Sequence, residues 1–159
     1  NGFDACFHNM GVSSMGISEV DYYKFTYSVT ENLATTLYTI NPAMTFIYVS
    51  GQGTDSSEKG RSSWARIKGK TENVLFNIGF KNAVAFRPGA IIPGKGIKSK
   101  TGWINFMLVL FRPLFPLMKK LDSVTTTENI GLAMIEIAKN SSETKIVDNK
   151  LINKLAKKL

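Results

Sequence analysis

Apolar residues recur along this chain in two rhythms, short unbroken runs and longer stretches spaced by three and four. "DACFH", residues 4–8, is a short apolar run followed by the loop "NMGVSS", which predicts a buried strand. Ser18 opens a helix, with Glu19 and Asp21 in its first turn where carboxylates complement the dipole. Tyr22, Phe25, Val29, Leu33 and Leu37 then fall at helical spacing, predicting one buried face, and Asn41-Pro42 ends the helix. "MTFIYVS", residues 44–50, is β-branched, aromatic and uncharged, the clearest strand. The loop "GQGTDSSEKG" leads to a helix over 62–78, with Gly79 where helix C-termini prefer glycine. "NAVAFRPG", residues 82–89, predicts a third strand, stopped by Pro88 and Gly89, and "TKIVD", residues 144–148, a shorter fourth. Between them lies an excursion over 94–122, with the basic loop "PGKGIKSKTG" and the apolar run "WINFMLVLFRPLFPLM". "TTTENIGLAMIEIA" then predicts a capped helix offering Leu132, Ile135 and Ile137 to the core, and "NKLINKLAKKL" a basic amphipathic helix.

Strands alternating with helices predict an α/β fold: a partial doubly wound parallel sheet of about four strands, helices on both faces, in one domain over 1–159. Ligands of such sheets bind beyond the carboxyl ends of the strands. Three small-residue loops converge there, Asn9–Ser14, Ser50–Ser57 and Pro88–Gly96, which marks a candidate site without naming its ligand.

Composition narrows the chemistry. With 43% hydrophobic and 20% charged residues, the 159-residue chain has the balance of a globular domain. Cys6 is the one cysteine and His8 the one histidine, so an internal disulfide, a multi-cysteine zinc site and a histidine-rich metal site are excluded. No metal ligand set is read. The net charge is +8, and it is uneven. From Asn73 to Leu121 there is no acid, while Lys81, Arg87, Lys95, Lys98, Lys100, Arg112, Lys119 and Lys120 supply the whole excess. Such a segment serves as a solvated basic face or draws an anionic ligand. Nucleic acid is not expected, because the basic residues lie among aliphatic runs without interleaved stacking aromatics. Trp103–Met118, sixteen residues with Arg112, Pro113 and Pro116 inside, is short of the ~20 that span a bilayer. It reads as a pocket lid or core element, or as an interfacial membrane element aided by Lys119-Lys120 and the lysine-rich final helix. No basic n-region with an apolar run opens the chain, so a cytoplasmic setting, with or without peripheral membrane contact, is expected.

"SSWARIKGKTE", residues 62–72, sets Lys68 one helical turn after Trp64, with Ser50 ending the preceding strand. "YVSGQGTDSSEKGRSSWARIKGKTENVL" followed by "FKNAVAFRPGAIIPG" resembles the short-chain dehydrogenase/reductase superfamily, and within it the atypical, extended, epimerase/dehydratase-like members. The likeness continues through "TTTENIG" and covers nearly all of the chain. It implies a Rossmann-like fold, NAD or NADP as cofactor, an unknown small-molecule substrate and oxidoreductase-like chemistry. In that family a tyrosine hydroxyl exchanges the proton at the carbinol oxygen. A lysine four residues on lowers the tyrosine pKa and binds the nicotinamide ribose, and a serine polarises the carbonyl. By resemblance Ser50 is the serine, Lys68 the lysine, and Trp64 stands at the tyrosine position. Asn9, Gly11, Val12 and Ser13 would line the nicotinamide side, and Pro88-Gly89 would meet the carboxamide through backbone. Arg87 would bind backbone carbonyls or reach a phosphate.

Two departures bear on function. The indole of Trp64 donates a hydrogen bond but does not ionise near neutral pH, so it cannot transfer the proton. It then serves in packing, and Tyr48, Tyr22, Tyr23 and Tyr27 remain open as substitutes. The Gly-rich dinucleotide fingerprint is also absent, and neither "GQGTD" nor "GKGIKSKTG" replaces it. The resemblance implies that the chain starts at the family's fourth strand and lacks on the order of sixty residues, two βα units. The strand over 4–8 would then be an open sheet edge inviting self-association. A non-catalytic dinucleotide-binding sensor or scaffold is the alternative to an oxidoreductase. His8 reads as a hydrogen-bonded structural residue and Cys6 as inert and buried.

Overall fold

The computed structural model describes residues 2–94, 115–118 and 121–159. Among the described residues there are six strands and six α-helices, starting with β1 (Ala5–His8), α1 (Glu19–Tyr23), a π-helical turn (Lys24–Ser28), α2 (Val29–Ile40) and β2 (Thr45–Val49). They continue with α3 (Ser63–Ile78), β3 (Asn82–Arg87), β4 (Ala90–Ile92), α4 (Phe115–Met118) and β5 (Val124–Thr126). The chain closes with α5 (Thr127–Asn140), β6 (Ile146–Asp148), α6 (Asn149–Leu155) and a 3-10 turn (Ala156–Lys158). The main sheet has the order β1-β2-β3-β6 and is parallel throughout, with Cys6 beside Phe46, Phe46 beside Ala83, and Phe86 beside Val147.

Strand alternation sends successive side chains to opposite faces, and each face has its own core. Phe46 and Tyr48 meet Ala34 of α2 and Leu75 of α3, with Phe80 at the rim. Ile47, Val84, Phe86 and Val147 meet Ala133, Met134 and Ile137 of α5 and Ile152 of α6. The α/β sandwich with helices on both faces, anticipated from the alternation of patterns, is therefore the observed one.

Three features depart from the sequence reading. Tyr22 is buried as expected, but Phe25, placed on the same face of the first helix, is 47% exposed, and Thr26, Thr30 and Ala34 face inward instead. The π-helical turn widens the helix there, so a spacing of four keeps residues in line and two threonines replace the aromatic. In α5, Ile135 is 40% exposed, Leu132 only half-buried, and Ala133, Met134 and Ile137 form the contact. Finally, β4 and β5 form a small parallel sheet of their own, in register from Ala90–Val124 to Ile92–Thr126. Most of the 94–122 excursion, including Lys95, Lys98, Lys100, Arg112, Lys119 and Lys120, lies outside the described residues, as does most of Trp103–Met118. Among the described residues no helix is long and apolar enough to cross a membrane.

Candidate functional site

The carboxyl ends of the parallel strands bring together His8, Ser50, Arg87 and Asp148. Ser50 leaves β2 while still bound to the sheet, its N–H donating to the Phe86 carbonyl at 2.8 Å. Its hydroxyl lies 2.8 Å from that of Thr54, and Thr54 donates its own proton to the Gly51 carbonyl at 2.7 Å. A hydroxyl has one proton, so Ser50 is the donor of the pair. The seryl proton is engaged inward, while Ser50 Oγ keeps acceptor capacity.

Lys68 reaches this corner from α3. Its Nζ donates to the Ser50 carbonyl at 2.9 Å and lies 5.8 Å from the centroid of the Tyr48 ring. Burial holds the Lys68 ammonium below its ordinary pKa, with the charge of Glu72 one turn further on partly opposing this. Two N–H groups of Lys68 remain for a ligand.

The loop between β2 and α3 is locked so that this contact holds. Asp55 N–H donates to the Ala65 carbonyl at 3.1 Å, and a Cβ on Gly69 would fall 1.8 Å from the Asp55 carbonyl oxygen. The Asp55 carboxylate accepts from the Ser57 hydroxyl at 2.6 Å and from Gly60 N–H at 2.6 Å. These bonds, the Ser57 hydroxyl first, hold its pKa below the ordinary carboxylate value. Trp64 closes the loop from the other side. Its half-buried indole rests on Gly53, whose φ of +86° suits glycine and whose missing Cβ would stand 3.2 Å from the ring edge.

None of the tyrosines left open by the sequence stands ready beside Ser50 to exchange a proton. Tyr48 is 1% exposed in the core under α3, and burial pushes its hydroxyl far up, so it stays protonated. Tyr22 is buried and its hydroxyl likewise raised. Tyr23 and Tyr27 stack on each other beneath the Lys70 ammonium. Tyr27 donates to Glu31 at 2.8 Å, and burial with that bond raises it to about 12.

Arg87 does not face the crevice. Its Nε donates to Glu72 Oε1 at 3.0 Å, and its Nη2 bonds Glu72 Oε2 and Ser56 Oγ. Glu72 is fully buried and needs this partner, so Arg87 serves first as its ion pair. Two backbone groups of Pro88-Gly89 are already engaged. The Pro88 carbonyl accepts from Gln52 N–H at 3.0 Å, and Gly89 N–H donates to Asn149 Oδ1 at 3.1 Å. The one Gly89 proton is therefore not free for a carboxamide. Asn9, Gly11, Val12 and Ser13 form an exposed loop off the end of β1, in which Ser13 Oγ accepts from Met15 N–H.

Asn149 is the residue the sequence did not reveal. Buried at the start of α6, it accepts from Gly89 and donates to the Ala90 and Ser123 carbonyls, tying the main sheet to the small one. Its partners lie 26 to 60 residues away, so no local pattern announces it. Beside it a cavity of about 280 Å³ opens among Gln52, Gly89, Ser123, Asp148, Asn149 and Lys150. Among the described residues no group of three or more His, Cys, Asp or Glu converges as a metal site. Compared with models of known protein families and with curated proteins, the chain matches none.

Proposed function

We propose that this protein is an oxidoreductase-like, NAD(P)-binding member of the short-chain dehydrogenase/reductase kind, with the Ser50–Lys68 corner receiving the nicotinamide ribose. The observation that carries this reading is the Lys68 Nζ to Ser50 carbonyl bond of 2.9 Å at the carboxyl end of β2, in a parallel α/β sheet. The residues fit a dinucleotide at its ribose. Lys68 keeps two N–H donors, and Ser50 Oγ and the exposed Asn9–Ser13 loop border the same sheet end. They do not fit a carboxamide held by Gly89 N–H, which is bonded to Asn149. A bound nicotinamide would supply or accept hydride. Lys68 would orient the ribose hydroxyls, and Ser50 would turn from Thr54 to polarise an oxygen. Trp64 would donate a hydrogen bond at most.

The second reading, a dinucleotide sensor without turnover, is favoured by the buried Tyr48, the bonded Tyr27 and the inward seryl proton. Titration of the chain with NADPH and NADH, followed by nicotinamide fluorescence, tests both readings. Binding is expected, weakened about tenfold or more in Lys68→Ala. Absence of binding to either dinucleotide at millimolar concentration overturns the proposal. Oxidation of NADPH in the presence of simple aldehydes and ketones by the unmodified chain would exclude the sensor reading.

A further inference from the structure

A second cavity, of about 490 Å³, opens where α5 ends and the chain turns back into β6, at the end of the sheet away from Ser50 and Lys68. Its volume is in the range of small-molecule sites. On α6 and the 3-10 turn after it, Leu151, Lys154, Leu155 and Lys158 recur at helical spacing, so one stripe forms a wall. Facing it, one turn from the end of α5, is Glu136, only 5% exposed. Glu136 Oε2 accepts from Asn140 Nδ2 at 3.1 Å. Among the described residues no donor comes within hydrogen-bond distance of Oε1. Lys158 Nζ stands 3.7 Å from it, at the end of a side chain that is 55% exposed. A carboxylate this buried calls for a close cationic partner, and the one present is loose. The helix adds to the demand for positive charge. Ser141 N–H closes on the Ile137 carbonyl at 2.8 Å, and the later carbonyls of α5 have no helical partner, so its negative end lies beside Glu136. Ser141 holds φ +62°, a strained value for a residue other than glycine, where the chain turns aside to form the rim.

We propose that this cavity binds a free aliphatic amino acid, its ammonium turned inward and its carboxylate outward. The ammonium donates to Glu136 Oε1 in place of Lys158, and to carbonyls at the end of α5. Leu151 and Leu155, both half-buried, cover the aliphatic side chain. Lys154 is exposed on the rim and has no carboxylate within ion-pair distance among the described residues, so it takes the carboxylate of the ligand. Charge disfavours the other small ligands. A phosphate or nucleotide would bring its charge to Glu136, Glu143 and a helix C-terminus. Calcium takes about six to eight oxygens, and here Glu136 and Glu143 share the lining with Lys154 and Lys158. A diamine would set its second ammonium against Lys154.

The test takes the whole chain, leucine, and two probes that each lack one charge: isopentylamine, without the carboxylate, and isocaproate, without the ammonium. Assigned backbone resonances of Glu136, Ser141, Leu151 and Leu155 are expected to shift with leucine at low salt, with a Kd on the order of 1 mM. Either probe should bind about tenfold or more weakly. Glu136→Gln keeps the bond from Asn140 and should weaken leucine binding about tenfold or more. Lys154→Glu should weaken leucine by a similar factor and strengthen isopentylamine, an inversion that a merely structural role of Lys154 does not produce. Position 154 is exposed, so this variant folds even where Glu136→Gln does not, and it decides alone. No shift at these residues with leucine at ~20 mM overturns the proposal. Equal affinities for the three compounds overturn it too, as does a preference unmoved by Lys154→Glu.

Discussion

His8 is 5% exposed at the end of β1, its ring stacked near Tyr48 and its Nε2 3.0 Å from Thr30 Oγ1. Thr30 gives its proton to the Thr26 carbonyl at 2.6 Å, so His8 must donate and carries its proton on Nε2. Burial lowers its pKa below the ordinary 6.5. The unfolded chain then binds a proton near 6.5 that the folded chain refuses, and unfolding takes up a proton. The stability in question is full above 6.5 and lost as pH falls below it. Urea midpoints on either side of that pH should fall on acidification, and less so in His8→Gln. At Gly69 the missing Cβ leaves room for the Asp55 carbonyl, so Gly69→Ala should cost about 2 kcal/mol or more in denaturant titrations. Ser50 and Lys68, set by the sequence at a strand end and on the following helix, do meet through the Lys68 Nζ to Ser50 carbonyl bond, while Trp64 rests on Gly53. The Arg87–Glu72 pair was not legible, because Glu72 is the last acid before the acid-free run and only the packing of α3 on β3 joins them.

The elements that were legible have continuous apolar runs or clear caps. For β2, β3 and α3 the expected limits lie within two residues of the observed ones. The π-helical turn has no such signature, because Thr26 and Thr30 are inward for the sake of a wider turn and a buried histidine. The three-residue strands β4 and β5 are too short for a pattern, and their pairing spans the excursion between them. Helix α5 starts with Thr126 accepting from Asn129 N–H at 3.1 Å, so Thr126→Ala should lower stability by about 1 kcal/mol, read by thermal melting. The Glu72–Arg87 pair fastens α3 to β3. Glu72→Gln leaves a guanidinium, 19% exposed, without its charge partner and should cost about 3 kcal/mol. An apolar replacement of both residues should recover much of that loss in the same urea titration.

At the scale of the whole molecule, the parallel sheet and its two helical layers follow from apolar strands that bury both faces. The expectation of a sheet edge over 4–8 is met, since among the described residues β1 ends the sheet order, although it is as apolar as a central strand. Its phase against β2 has a spectroscopic consequence. In dilute solution the amide protons along β1 should exchange with deuterium as a comb: slow at Cys6 and His8, which donate into the sheet, and fast at Ala5 and Phe7, which meet solvent. Two-dimensional nitrogen–proton spectra recorded after dilution into heavy water would show alternate peaks of one short segment fading first, a rhythm of two written into time rather than into sequence.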